Sequence, residues 1–166
     1  MAKHTEDYAA GDYVVYPTHG VGRVEGIETQ EISGLTLTLL VVRFEQDRMT
    51  LRLPLERAAQ SGLRKLSSRK LMDDAMTTLK GRSRAKRTMW SRRAQEYEAK
   101  INSGDPVSIA EVVRDLHRAS DQPEQSFSER QMYQAALERL ARELAALEEI
   151  DENSAAIKLE EMLAAA

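Results

Sequence analysis

The chain has 166 residues, 42% hydrophobic and 31% charged, with a formal net charge of −3. That is room for one ordinary domain or two small ones, with the balance of a folded globular protein and not of a disordered one. The absence of cysteine excludes disulfides, thiol catalysis and cysteine metal sites, and the longest apolar run, Leu37 to Val42, falls far below the ~20 residues of a membrane span. The N-terminal segment Met1 to Asp7 lacks the apolar core of a signal peptide, so a cytoplasmic protein is expected.

Up to about Pro54 the apolar period is two, with β-branched and aromatic residues between glycine punctuation. Tyr13 to Tyr16 reads as a first strand, stopped by the turn Pro17-Thr18-His19-Gly20. Val21 to Glu31 follows, carrying Gly22 and Gly26, which are expected to mark bulges. Ser33-Gly34 turns the chain into Leu35 to Glu45, and Gln46-Asp47 makes the next hairpin. Arg48 to Leu53 then alternates, with Met49, Leu51 and Leu53 inward and Arg52 outward. Four or five short twisted strands of this kind make a small Tudor-like or SH3-like β-barrel, expected over residues 1–66.

After a linking segment the period becomes helical. Ser67 or Ser68 caps a helix with Leu71, Ala75 and Leu79 on one face, ended by Gly81. A second helix begins near Thr88, with Trp90, Ala94, Tyr97 and Ile101 along one face and Asn102-Ser103-Gly104 closing it. Asp105-Pro106 starts a third, with Ile109, Val112, Val113 and Leu116 as its buried stripe. Ser126 with Glu129 forms a capping box for a fourth, whose seam is Tyr133, Leu137, Leu140, Leu144 and Leu147. Asp151 to Ser154 separates a last helix, Ala155 to Leu163. The fold class is α+β, a small β-barrel followed by a compact α-helical bundle over residues 67–166.

Charge is unevenly placed along this plan. Residues 64–93 hold eleven basic side chains against Asp73 and Asp74, a net +9, whereas residues 138–166 are net −5. The only tryptophan, Trp90, sits inside the basic stretch Lys86-Arg87-Thr88-Met89-Trp90-Ser91-Arg92-Arg93. An apolar ring framed by cations at a helix start suits contact with a nucleic-acid backbone and its bases. The same spacing also suits a ring buried with Tyr97 and Ile101, and periodicity alone leans toward that placement while leaving the other open.

Catalytic signals are thin. His4, His19 and His117 lie far apart, none in a metal-binding spacing, and His19 reads as a turn residue. No carboxylate pair stands in an apolar setting, and no glycine-rich phosphate loop is present. No enzyme, metal or cofactor is expected.

The residues laid out above resemble the CarD (CarD/CdnL-like) family of bacterial transcription regulators over nearly the whole chain. The blocks that carry the resemblance are Gly11 to Gly22, Arg52-Leu53-Pro54, Trp90-Ser91-Arg92-Arg93 and Ala110 to Leu116. The first also resembles the polymerase-interacting module of transcription-repair coupling factors. The resemblance implies that the barrel binds the RNA polymerase β subunit, with Arg52 and the position of Gln30 in contact. It implies that the bundle meets promoter DNA at the upstream edge of the bubble, where Trp90 wedges into the minor groove and Arg92 and Arg93 hold phosphate. Lys86 and Arg87 are expected to add to that DNA surface. Gln30 and Gln95 stand where some relatives are basic. No long exposed heptad seam demands a dimer, so a monomer is expected. The alternative is a polymerase-bound adaptor whose basic bundle never touches DNA.

Overall fold

The computed structural model describes residues 8–84, 88–118 and 122–165. The chain divides into two compact units, Met1–Leu66 and Ser67–Ala166, in keeping with the α+β class.

The first unit is an antiparallel sheet of β1 (Tyr13–Tyr16), β2 (Gly20–Ile32), β3 (Leu35–Phe44), β4 (Met49–Pro54) and β5 (Arg64–Lys65), in the order β4-β3-β2-β1-β5. The α+β class and the small five-stranded sheet are as expected; among the described residues the sheet is open, with β4 and β5 as its two edges. Its last strand is only two residues long and pairs with Val14 and Val15 of β1, too short a ladder to carry the chain across to β4. A 3-10 turn, Leu55–Arg57, and β5 occupy the segment expected as a plain linker. Two residues carry no period to read, but Leu55 is fully packed into the core with Val14, Val24, Leu40, Val42 and Phe44.

The turns follow their chemistry. Ser33 and Gly34 both take positive φ, 52° and 79°, as a two-residue hairpin loop matched to strand twist requires. Arg48 also has positive φ and belongs to the turn, so β4 starts one residue later than the alternation implies. Gly26 marks a shift of register between β2 and β3, the expected bulge. Gly22 does not: it pairs in register with Val14, and a Cβ there would stand 2.6 Å from the Phe44 ring. Its smallness makes room for that ring. His19 lies in the β1–β2 turn, stacked on Tyr16 with centroids 5.8 Å apart, and its Nδ1 is 3.1 Å from the Asp47 carboxylate in the next hairpin. It ties two turns together.

Among the described residues the second unit packs five helices, α1 (Arg69–Leu79), α2 (Trp90–Asn102), α3 (Pro106–Leu116), α4 (Phe127–Glu148) and α5 (Glu152–Ala164). Ser68, Asp105, Ser126 and Asp151 each accept a first-turn backbone N–H. Glu129 does not reach back to complete a capping box; its carboxylate takes Arg118 at 3.2 Å. Asp151 is a cap and not part of a spacer, so α5 begins at Glu152. In α1 the buried face is Met72, Ala75 and Leu79, with Leu71 half-buried, since the helix turns Met72 inward against α3. The stripes of α3 and α4 are buried as expected, except that Leu147 is half-buried.

Several carboxylates within the bundle are paired. Glu143 is buried and accepts the Ser67 backbone N–H at 2.8 Å, which fixes the entry to α1. Glu148 receives Arg69 of α1 and Lys158 of α5, and these two cations hold its carboxyl below the usual range. Burial pushes the Tyr133 phenol up to about 12 and keeps the neighbouring His117 imidazole below its ordinary value. Both shifts arise chiefly from burial against the helical core. No helix among the described residues is long and apolar enough to cross a membrane.

Candidate functional site

The basic segment leaves α1 under tight control. Asp115, 4% exposed on α3, accepts the Arg84 backbone N–H at 2.9 Å and Arg114 Nε at 3.0 Å, while its carbonyl accepts from the Ser83 hydroxyl. A buried carboxylate thus fixes the chain between α1 and the stretch that precedes α2, with Arg82 and Arg84 exposed on either side of Ser83. Asp115→Ala is expected to destabilise this unit by about 3 to 5 kcal/mol, because Arg114 and the Arg84 amide lose their acceptor together. Asp115→Asn, which keeps one carbonyl acceptor, should lose less; thermal unfolding followed by circular dichroism reads both.

Lys86 and Arg87, two of the five expected DNA-binding residues, lie outside the described residues. The other three come together on the first turn of α2, but not on one surface. Met89 occupies the N-cap with no side-chain hydrogen bond and is 77% exposed. Trp90 is half-buried and packs against the helical core. Its ring lies 6.3 Å from that of Tyr97, tilted by 48°. Arg93 sits over both rings, its guanidinium carbon 5.6 Å from the Trp90 centroid and 5.8 Å from that of Tyr97. Arg92 is exposed and lines an open groove of about 440 Å³ with Thr88, Met89, Ser91 and Gln95. Neither placement left open by the periodicity is complete: Tyr97 and Ile101 are buried, and Trp90 stands at the rim of the core they begin.

Arg52 and Gln30 lie on one face of the sheet in the first unit, without a contact between them among the described interactions. Arg52 pairs with Val41, while Gln30 and Glu28 pair with Leu37 and Leu39. Alternation along β3 puts Leu37, Leu39 and Val41 on one face, and Arg52, Glu28 and Gln30 with them. Arg52 Nε is 3.2 Å from the Glu28 carboxylate, both side chains about half exposed. Farther along the same face Ile32 and Leu35, 51% and 69% exposed, face each other at the hairpin end. These leucines and isoleucines were legible only as strand residues, because exposure depends on which strands run alongside. The Arg93 contact had a signal in its four-residue spacing to Tyr97; Asp115, thirty-one residues from Arg84, had none. No group of three or more histidines or carboxylates that could hold a metal occurs among the described residues.

Two family descriptions match the chain, "CarD-like/TRCF RID domain" over residues 8–67 and "CarD, C-terminal domain" over residues 74–160. A curated relative, the "Putative transcription factor YdeB" of Bacillus subtilis (strain 168), is 30% identical over 145 residues, spanning 87% of this chain and 95% of the relative. The solution NMR structure of the 72-residue N-terminal domain of Myxococcus xanthus CarD is 40% identical, covering 34% of this chain and 76% of that one with a TM-score of 0.30. The two matched modules, one sheet and one helical, define the class as transcription regulators linked to RNA polymerase. Within that class the chain belongs to the CarD family.

Proposed function

We propose that this chain regulates transcription initiation by binding the RNA polymerase β subunit through its sheet unit and stabilising the open promoter complex through its helical unit. The observation that carries the reading is the first turn of α2, where a half-buried Trp90 stands beside the exposed Arg92. A ring held on one side by protein keeps little freedom to lose, so its exposed part meets an unstacked base step at low entropic cost. The family resemblance assigns phosphate contacts to the Arg92-Arg93 pair, and Lys86 and Arg87 are proposed to add to them. A few such contacts give weak, salt-sensitive and sequence-independent binding. The sheet unit supplies the tether, through Arg52 and Gln30, and raises the effective local concentration of the bundle to the ~millimolar range. A wedge that fits the melted junction better than closed duplex shifts the population toward the open complex without covalent chemistry. The protein works as a monomer in the cytoplasm, without cofactor, at the nucleoid with its polymerase.

A second reading, a polymerase-bound adaptor with no DNA contact, is favoured by one observation: the Trp90 indole packs against the core. Open-complex lifetimes on a weak promoter, measured with and without the full chain at several salt concentrations, separate the two. The wedge reading expects a longer lifetime whose gain shrinks as salt rises, and an adaptor leaves the lifetime unchanged at every salt.

A further inference from the structure

Arg92 and Arg93 are adjacent in sequence but roughly 100° apart around α2, and their environments differ accordingly. Arg92 is exposed on the groove beside Met89. Arg93 is half-buried and shares a face with Trp90 and Tyr97, three residues before it and four after. Its guanidinium lies over both rings, and one of its terminal nitrogens stands 3.5 Å from the Tyr97 hydroxyl as donor. Its Nε is buried with no hydrogen-bond partner among the described residues. A guanidinium so placed spends its planar surface on aromatic faces, an arrangement a lysine ammonium does not reproduce.

We infer that Arg93 is a positioning residue: it clamps the Trp90 indole between the helix and Tyr97, while Arg92 alone of the pair meets phosphate. Within the proposed function this divides the labour of two arginines that the family resemblance treats as equivalent. The clamp fixes the angle at which the ring leaves the core, and the free arginine sets the electrostatic dependence.

Because Trp90 is the only tryptophan, its fluorescence reports the clamp without DNA or polymerase. The full chain and its Arg92→Ala, Arg93→Ala and Arg93→Lys variants are compared by emission maximum and by acrylamide quenching. A labelled fork-junction DNA titrated at several salt concentrations then gives each protein's salt slope. Arg93→Ala is expected to shift emission to the red, increase quenching and weaken binding while leaving the salt slope unchanged. Arg92→Ala is expected to leave emission alone and flatten the slope by about one, the signature of one lost phosphate contact. Arg93→Lys keeps a cation in place and guards against an unfolded alanine variant; its emission should fall between wild type and Arg93→Ala, with the slope again unchanged. Unaltered emission in both Arg93 variants, or a slope flattened by one in either, overturns the clamp. The emission arm holds or fails independently of the wedge: a clamped ring that stabilises no open complex would sink the proposed function and leave the role of Arg93 intact.

Discussion

Trp90→Ala is expected to shorten the lifetime of open complexes on weak promoters by about 5-fold to 150-fold, while the protein still binds polymerase. The range follows from the ~1 to 3 kcal/mol that one stacked or inserted aromatic contributes. The lower end applies if most of the indole stays against the core, since only its exposed part reaches DNA. The substitution also removes packing from the rim of the helical core, a cost of roughly 1 to 2 kcal/mol for a half-buried ring. Thermal unfolding therefore has to be measured beside promoter kinetics. Trp90→Phe separates the effects, because it restores most of the packing with a shorter reach and should recover stability before it recovers lifetime. If Trp90→Ala extends open-complex lifetimes as fully as the parent protein, the wedge is removed from the mechanism.

Arg52→Glu is expected to remove the effect on promoters at stoichiometric protein, with Trp90 untouched. Arg52 is exposed and its nearest charged partner is Glu28 at 3.2 Å, so reversal sets two carboxylates against each other on the face proposed to meet polymerase. An exposed pair of this kind contributes only ~0 to 1 kcal/mol to the fold, and unfolding should change little. Binding to the polymerase β subunit, by contrast, should weaken by at least 10-fold, since like charges facing across an interface cost several kcal/mol. Loss of the tether leaves the bundle with weak DNA contacts and no local concentration. A large excess of the variant should accordingly restore part of the activity that is missing at stoichiometric protein. Surface-captured polymerase titrated with wild type, Arg52→Ala and Arg52→Glu reads the affinity. Equal affinity for all three would move the tether elsewhere on the sheet. Gln30→Arg, on the same face by register, tests the surface in the opposite sense by adding a cation where some relatives carry one.

Several features of both units are legible in the sequence alone. Strand alternation marked Arg52 as outward, and caps at Ser67 or Ser68, at Asp105 and at Ser126 marked helix starts, the first of which the backbone takes at Ser68. Such signals are local: a capping side chain answers amides three residues away, and a strand's two faces are set by its own period. What failed to read correctly was set by neighbours. Gly22 looked like a bulge because glycine in a strand usually relaxes the backbone, yet here it admits Phe44, twenty-two residues on. How far the small sheet wraps on itself was likewise not legible, since it depends on the reach of β5, whose pairing stops after two residues.

The candidate DNA site shows the same division. Composition and periodicity alone marked Trp90 as a lone ring in a basic frame at a helix start, and motif order marked the family. Neither distinguished Arg92 from Arg93, because a charge has the same sequence signature whether it faces water or an aromatic ring. The helix resolved it: one position along α2 turns a side chain by roughly 100°, which here separates an open groove from the faces of Trp90 and Tyr97. The sequence by itself determined which residues carry charge and which elements they ride on, since propensity and capping act within a few residues. Only the tertiary structure decided which of those charges remain free to meet a partner, because burial depends on packing between segments that the chain order keeps apart.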